Sequence, residues 1–446
     1  MNINSVLIKS NHVLADIPCG ILISCVTDTE VYMENGKFRR ARIMALSAGH
    51  CVNDWYMNFV QVLIPFFIMS GFPIGKSAFL VTAFTCTSSV MQPLFGIIVD
   101  RTDRRWMIIA GTAWMAALLS LTGLVRGYPL LFAVVLLSGL GTAAFHPQAS
   151  AMVASLSGTK RGFWQAFFIA SGNLGWALAP LLIVPFVNAF GLGVTPYLAI
   201  PGVLTAAVLA IVSRGVNIVK KKRSSSQAIF PEGSVLPLSR IVFIVMCRSL
   251  TYFGMVAFLP IYLSEKGFSI GRSGNLLFLM LAAGAAGGLI GGFISDRWSR
   301  RGVLRVSLLL AAVFFMLFLK SSGTLSFVLL GLAGACLLGS FSVTVVMAQT
   351  ILPHGAATAS GLMLGLGTGI GGLGVGILGH AAGVYGAGRI VMILALVPAA
   401  AGIISLTLGK SYEKDTSKSN TTDVPETKFI QGTDELPDAP NGLNER

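Results

Sequence analysis

Long apolar stretches separated by short charged loops make up most of this chain. A hydrocarbon core of about 30 Å requires roughly 20 apolar residues per helix, and the sequence supplies twelve stretches of that kind. They lack the strict two-residue alternation of a barrel strand, so they are predicted to be helices. Their expected positions are 42–70, 76–99, 106–126, 129–155, 162–188, 194–213, 240–263, 273–295, 302–320, 324–351, 356–382 and 386–409.

A polar interval divides these twelve stretches into six and six. It contains four consecutive basic residues, Lys220 to Arg223, followed by three serines, which is the composition of a solvated linker. Polar composition and few aromatic residues also predict that the C-terminal end is disordered. The expected organisation is an N-terminal cytoplasmic extension at 1–41, an N-terminal six-helix bundle at 42–213, a basic cytoplasmic linker at 214–239, a C-terminal six-helix bundle at 240–409 and a disordered cytoplasmic tail at 410–446.

Composition supports a membrane protein and its charges predict an orientation. Hydrophobic residues make up 54% of the chain and charged residues only 11%, against about 25% charged residues in soluble domains. Fifteen Lys and Arg lie in the loops on one side of the predicted helices and six on the other. The positive-inside rule then predicts a multi-pass protein of the inner (plasma) membrane with both termini cytoplasmic. Because this placement explains the net charge of +14, no nucleic-acid partner is expected.

A G-x-x-x-D-R-x-x-R-R pattern occurs twice, between stretches 2 and 3 and between stretches 8 and 9. The five residues that define the pattern recur 196 positions later, which indicates an internal duplication. The glycines allow helices to approach closely, and the aspartates can be held by arginines in charge-assisted hydrogen bonds. We interpret the pair as a cytoplasmic gating motif, although the arginines could instead only enforce orientation. Its residues are Gly96, Asp100, Arg101, Arg104 and Arg105 in the first copy, and Gly292, Asp296, Arg297, Arg300 and Arg301 in the second.

These duplicated loops resemble those of the major facilitator superfamily, whose two halves are related by an axis along the membrane normal. Within it, the fosmidomycin-resistance transporters are the most similar group, on the runs 47–54, 92–96, 139–147, 172–175 and 348–353. The resemblance implies an all-α membrane protein of twelve transmembrane helices in two six-helix bundles, with helices 1, 4, 7 and 10 lining a cavity. It also implies proton-driven export of small organic anions, typically phosphonate antibiotics. Gln148 departs from the family, which commonly has Glu at this position.

Two charges stand inside the predicted spans, Asp54 in helix 1 and Arg248 in helix 7. Each costs about 2.5–3.5 kcal/mol at membrane depth, so each is expected to face water or a partner. His50 lies one helical turn before Asp54 on the same polar stripe. We expect Asp54 to carry the coupled proton and His50 to relay it. Alternatively, Asp54 and Arg248 form a static interhelical pair, and His50 only binds a backbone carbonyl.

An anionic head group is expected to bind Arg248 and His146, because a guanidinium offers forked donors and a protonated imidazole adds a second cation. An anion on Arg248 would remove its support for ionised Asp54 and favour protonation, which links the two ligands. Amides between membrane helices can alternatively serve only in packing. The further substrate-binding candidates are Asn53, Tyr252, Gln165 and Asn173.

The leading prediction is therefore a secondary active transporter that exports a small organic anion or antibiotic in exchange for protons. No P-loop is present, so an ion gradient or the substrate gradient must supply the energy. An importer or uniporter of an endogenous organic anion or sugar phosphate is the nearest alternative, and an intramembrane enzyme or lipid flippase is one of another class. An enzymatic function lacks support, because the sequence has no H-E-x-x-H motif, no G-x-S-x-G motif and no second intramembrane acid. The expected partners are the lipid bilayer, an anionic small molecule and protons, with no metal and no cofactor, and a monomeric state is compatible with the sequence.

Overall fold

The computed structural model describes residues 36–102, 105–214, 216 and 229–409. The predicted tail, most of the predicted N-terminal extension and half of the predicted linker lie outside these ranges. All regular elements in the described residues are helical. Those of the N-terminal half are α1 (Gly36–Met57 and Phe59–Met69), α2 (Ile74–Val90 and Gln92–Thr102), α3 (Trp106–Leu121), α4 (Tyr128–Leu156), α5 (Arg161–Phe190) and α6 (a 3₁₀ segment Leu192–Ala199 and an α-helix Ile200–Val212).

The C-terminal half repeats this arrangement with six further helices. They are α7 (Val235–Glu265), α8 (Ile270–Arg297), α9 (Arg300–Lys320), α10 (Gly323–Gly339 and Phe341–Ile351), α11 (Ala356–Ser360, a π-helical segment Gly361–Gly367 and Thr368–Tyr385) and α12 (Ala387–Ser405).

The predicted twelve-helix membrane fold is confirmed. Ten of these helices are long and apolar enough to cross a membrane, and α3 is apolar but shorter, in the part of the chain that the structure describes. The largest differences from the predicted bounds are at three helix ends: α1 begins at Gly36 rather than 42, α7 begins at Val235 rather than 240, and α3 ends at Leu121 rather than 126. In α1 the additional residues include the basic Arg39 and Arg40. Long basic side chains can reach water from a helix end, so the loss of apolar character does not mark where the helix stops.

Several spans are interrupted at membrane depth. The break in α1 falls at Asn58, whose amide Nδ2 donates to the carbonyl oxygen of Trp176 in α5 at 3.0 Å. The break in α2 falls at Met91, just before Pro93, which has no backbone N–H to donate. Such breaks are tolerated in a membrane where neighbouring side chains satisfy the freed backbone groups or the segment lines a cavity.

The two halves meet closely at the ends where α2 and α8 finish and α5 and α11 begin, which we call the gate side. A Cβ added to Gly96 in α2 would lie 2.6 Å from the carbonyl oxygen of Ala357 in α11. A Cβ added to Gly292 in α8 would lie 2.5 Å from the carbonyl oxygen of Gly162 in α5. Only glycine permits such a contact between backbones. The two motif glycines therefore mark two equivalent contacts between the halves.

Candidate transport site

Three titratable side chains meet between α1 and α4. His146 Nε2 lies 3.0 Å from Asp54 Oδ1 and 3.0 Å from His50 Nε2. His50 Nε2 in turn lies 3.3 Å from Asp54 Oδ2. We call this cluster the triad. Its histidine side chains are almost fully buried and the Asp54 side chain is 16% exposed.

The hydrogen-bond geometry of the triad suits a shared proton. His50 Nδ1 contacts the carbonyl oxygen of Phe168 at 2.6 Å, and His146 Nδ1 contacts that of Thr142 at 3.1 Å. A carbonyl oxygen only accepts, so each Nδ1 carries a hydrogen and the Nε2 of a neutral ring has only a lone pair. Two bare Nε2 atoms 3.0 Å apart beside a carboxylate would repel, and a proton between them would remove this repulsion. The ligand atoms lie within 4.8 Å of one another, a spacing that suits a shared proton or a metal ion.

Helix α5 fixes the triad from one side. The rings of His50 and Phe168 stack with centroids 4.0 Å apart, in addition to the hydrogen bond to the Phe168 carbonyl. A Cβ on Gly172 would lie 2.4 Å from Asp54 Oδ2 and 2.5 Å from His50 Cε1. The absence of a side chain at Gly172 therefore lets the carboxylate and the imidazole pack against the α5 backbone.

Arg248 in α7 is buried, and only part of its guanidinium has a hydrogen-bond partner. Its side chain is 1% exposed, its Nη1 donates to Thr344 Oγ1 in α10 at 3.2 Å, and its Cζ lies 3.9 Å from the centroid of the Phe341 ring. Its Nη2 has no hydrogen-bond partner among the described residues. A buried cationic donor left unpaired is costly, so this atom is suited to an acceptor that a ligand supplies.

Both groups line one cavity between the halves, with about 890 Å³ of empty space. The triad lies on its N-terminal half and Arg248 on its C-terminal half. Tyr252 and Asn173 also line it, so six predicted site residues come together. The remaining walls are mainly apolar or aromatic, including Trp176, Phe253, Phe341, Leu338 and Leu364.

Other predicted residues lie elsewhere. Asn53 is fully buried behind the cavity, and its Oδ1 accepts from Thr142 Oγ1 at 2.5 Å. Gln165 does not line the cavity, and its Nε2 donates to Ser150 Oγ at 2.7 Å. In the described residues Asp54 pairs with the two histidines and not with Arg248, so the alternative of a static interhelical pair between these two charges is not observed. Gln148 is fully buried, with neither amide atom bonded within the described ranges.

The two motif aspartates cap helices of the opposite half. Asp100 accepts from the backbone N–H groups of Ala357 and Thr358 at 3.1 and 2.7 Å, and from Thr358 Oγ1 at 2.6 Å. Asp296 accepts from the N–H groups of Gly162 and Phe163 at 2.7 and 2.8 Å. Helix N-termini carry unsatisfied donors and partial positive charge. Both carboxylates therefore link the two halves on the gate side.

The motif arginines occupy several environments. Arg300 donates to Thr350 Oγ1 at 3.3 Å and Arg301 to the carbonyl oxygen of Leu408 at 3.1 Å, both within the C-terminal half. Arg297 stacks on Phe293 at 3.9 Å, and Arg101 is exposed. Arg105 precedes α3 and is half-buried. The prediction for Arg104 lies outside the described residues.

Gln349 forms a polar bridge on the gate side that was not among the predicted site residues. Its Oε1 accepts from Arg161 Nη2 at 3.1 Å, and its Nε2 donates to Ser360 Oγ at 2.9 Å and lies 3.4 Å from Ser150 Oγ. It thus connects α10 and α11 to α4 and α5. A lone amide inside an apolar span was the available sequence signal. Thr344 and Phe341, which hold Arg248, gave no such signal because hydroxyls and aromatic rings are common in membrane helices.

In the described residues, twelve helices in two halves surround one cavity that carries ionisable side chains on both sides, which is the architecture of a polytopic membrane transporter. The sequence model of the Major Facilitator Superfamily matches residues 46–375, and the chain belongs to this superfamily. It is therefore a multi-pass membrane transporter and not an enzyme.

Curated relatives and solved structures are similar over most of their length. The "Fosmidomycin resistance protein" of Escherichia coli (strain K12) is 28% identical over 382 residues, covering 83% of this chain and 93% of that protein. The "Uncharacterized MFS-type transporter YfnC" of Bacillus subtilis (strain 168) is 29% identical, covering 80% and 90%. The transporter FucP in the outward conformation has a TM-score of 0.67 at 17% identity, covering 82% of this chain and 98% of that structure. A bacterial homologue of the iron transporter ferroportin in an outward-facing state has a TM-score of 0.68 at 14% identity, covering 83% and 99%. At these identities the structures support the fold alone.

Proposed function

We propose that this protein exports a small organic anion, such as a fosmidomycin-like phosphonate, in exchange for protons. The observation that supports this most directly is the presence, in one cavity, of a buried guanidinium with an unpaired Nη2 and a triad of titratable side chains. The similarity to the fosmidomycin resistance protein of Escherichia coli adds support for the phosphonate class.

Arg248 is the proposed anchor for the anionic head group. Its Nη2 needs an acceptor, and Phe341 and Thr344 hold the guanidinium in place, so little side-chain freedom is lost on binding. Two acceptor oxygens on one phosphonate or carboxylate match the fork of a guanidinium. His146 faces the cavity from the opposite half, where its ring nitrogens already contact Thr142 and Asp54, and it adds positive charge only while the triad is protonated. Tyr252 and Asn173 lie along the remaining wall.

The triad is the proposed proton carrier. Asp54 and His50 of α1 share the proton with His146 of α4, and Asp54 is the most exposed of the three. Exchange by alternating access requires that the proton and the anion do not cross the membrane together, so protonation of the triad and occupancy of Arg248 by the anion must alternate between conformations. The charge of one ligand also changes the affinity of the cavity for the other. One proton moving through 100 mV supplies about 2.3 kcal/mol.

The gate side is the proposed cytoplasmic side, because the basic loops predicted to be cytoplasmic lie there. With Asp100 and Asp296 capping helices of the opposite half, the cytoplasmic side is closed. Release of both caps would open the cavity to the cytoplasm, where the anion binds. Closure of the gate side then opens the cavity to the other side of the membrane, where the anion leaves and a proton enters the triad.

Ligand-dependent thermal stabilisation of the purified protein tests the substrate class. Fosmidomycin is expected to raise the melting temperature more than sugar phosphates or uncharged hydrophobic drugs, because a ligand that binds only the folded protein stabilises it by mass action. Transport in right-side-out and inverted vesicles then separates export from import. Stabilisation by sugar phosphates alone, or uptake driven into right-side-out vesicles, would contradict the proposal.

A further inference from the structure

A second cavity, distinct from the transport site, opens on the gate side. It is a groove with about 1650 Å³ of empty space between the start of α1, the connection from α4 to α5 and the end of α8. Arg39, Arg40 and Lys160 line it from the N-terminal half, and Arg297 lines it from the C-terminal half. We call it the basic groove.

Most of the positive charge in the basic groove is not neutralised by the described residues. Its one acid, Asp296, directs both carboxylate oxygens to backbone N–H groups of α5. In the described ranges no carboxylate lies within 4 Å of Arg40, Lys160 or Arg297. Arg39 donates to the carbonyl oxygen of Leu156, a neutral acceptor. Four cations thus surround this space, and within the described ranges no carboxylate is paired with them.

The walls of the basic groove are also apolar, and one of them faces lipid. Trp164, Phe163 and Phe293 line it together with the cations. Phe293 is 43% exposed on a membrane-spanning helix. Trp298, one residue beyond Arg297, is 85% exposed, as expected for an aromatic residue at the membrane interface. A soluble anion uses only the cations, whereas an amphiphile uses the cations and this apolar wall.

We propose that the basic groove binds the head group of an anionic phospholipid. The phosphate contacts Arg40, Lys160 and Arg297, and an acyl chain passes along Phe293 into the bilayer. Because α4 and α5 form one wall and α8 the other, the bound lipid bridges the two halves beside the Asp296 cap. It therefore favours the conformation in which the gate side is closed.

Lipid-dependent stability of the full chain tests this proposal. The purified protein in detergent is titrated with phosphatidylglycerol or with phosphatidylcholine of the same acyl chains, and the melting temperature and the lipids retained in native mass spectrometry are recorded. The test variant is Arg40→Gln with Lys160→Gln, and the matched control is Arg214→Gln with Arg240→Gln, two basic residues of the same side outside the groove. Each basic residue near an anionic lipid contributes about fivefold in affinity, so the test variant should bind phosphatidylglycerol about 30-fold more weakly.

The expected result is stabilisation by phosphatidylglycerol well above that by phosphatidylcholine, lost in the test variant and kept in the control. Equal stabilisation by both lipids, or equal loss in both variants, would overturn the proposal. Equal stabilisation by inorganic phosphate would assign the groove to a free anion instead. The melting temperature of the test variant without lipid is also compared with that of the wild type without lipid. If it is lower by as much as phosphatidylglycerol raises the melting temperature of the wild type, an acidic segment of the chain itself fills the groove, and the lipid assignment is wrong.

Discussion

The triad and Arg248 face each other across one cavity, and they differ in how completely their polar atoms are paired within the protein. Every side-chain nitrogen and oxygen of His50, Asp54 and His146 has a partner within the protein. Arg248, more deeply buried, leaves Nη2 without one in the described part of the chain. A cluster whose polar atoms are all paired within the protein can hold and release a proton without any other ligand. A rigid donor with no internal acceptor is suited to binding an anion from outside.

Removing the charge of the triad should give the largest effect. Asp54→Asn keeps the shape of the side chain but cannot share a proton with His146, so energy coupling should be lost while the anion site remains. One proton at 100 mV supports about 50-fold accumulation. Concentrative transport should therefore collapse to equal concentrations on both sides, with substrate exchange kept at the same order of magnitude. Glu265→Gln, at an exposed acid at the end of α7, is the matched control. Persistent pH-driven accumulation in Asp54→Asn would remove the proton role.

Removing the guanidinium should weaken binding according to ligand charge. Arg248→Ala should lower fosmidomycin affinity by about 10- to 100-fold, the range expected for charged hydrogen bonds. The affinity for its neutral phosphonate diester should fall much less. The affinity of Arg248→Lys for fosmidomycin should lie between those of the wild type and Arg248→Ala, because lysine keeps the charge but loses the forked geometry. Isothermal titration with both ligands measures this difference, and Arg272→Ala, at an exposed arginine, is the control. Equal losses for the anion and the diester would rule out an anion site at Arg248.

The packing of the triad on α5 gives a smaller, steric test. Gly172→Ala places a methyl group 2.4 Å from Asp54 Oδ2, so the triad must shift at a cost of about 1–3 kcal/mol. Concentrative transport should fall together with the free energy of unfolding. Gly376→Ala in α11 has open space around the added methyl group and should be neutral or stabilising by up to about 1 kcal/mol. Unfolding by denaturant and transport assays compare the two, and indistinguishable variants would contradict this packing.

The two aspartate caps give the smallest expected effect and a built-in comparison. Asp100 accepts three hydrogen bonds and Asp296 two, so Asp100→Asn should open the gate side more than Asp296→Asn. Loss of one cap is worth about 0.5–2 kcal/mol, which is about a 2- to 30-fold change in the open population. Spin labels on the exposed Thr159 and Trp298, one in each half, report the distance. Unchanged distances in both variants would show that the caps do not control the gate.

The sequence predicted the fold well because its signals are strong in a membrane. Twelve apolar stretches and a motif repeated at an offset of 196 residues give the helix count and the two halves without any tertiary information. Helix ends were less accurate, as at Gly36, because basic residues extend helices beyond the apolar core. The breaks within α10 and α11 depend on packing between helices, which hydropathy does not describe.

The candidate site was predictable by residue type but not by partner. A charge in a membrane span is conspicuous, so Asp54 and Arg248 could be selected, and both line the cavity. Their partners depend on the rotation of each helix about its axis: α4 turns His146 toward Asp54, and α10 turns Thr344 toward Arg248. The same rotation places Gln165 in the gate-side network with Ser150. Polar residues at helical spacing identify a stripe but not which neighbour it meets.

The most direct test of the central claim is the movement of protons while the anion leaves. Liposomes containing the protein, fosmidomycin and a trapped pH indicator are diluted into buffer of the same pH, with the membrane potential held at zero. The account predicts that the lumen acidifies as fosmidomycin flows out, and that Asp54→Asn liposomes show no acidification while they still exchange the drug. An alkaline change in the lumen, or efflux from wild-type liposomes with no pH change, would contradict it.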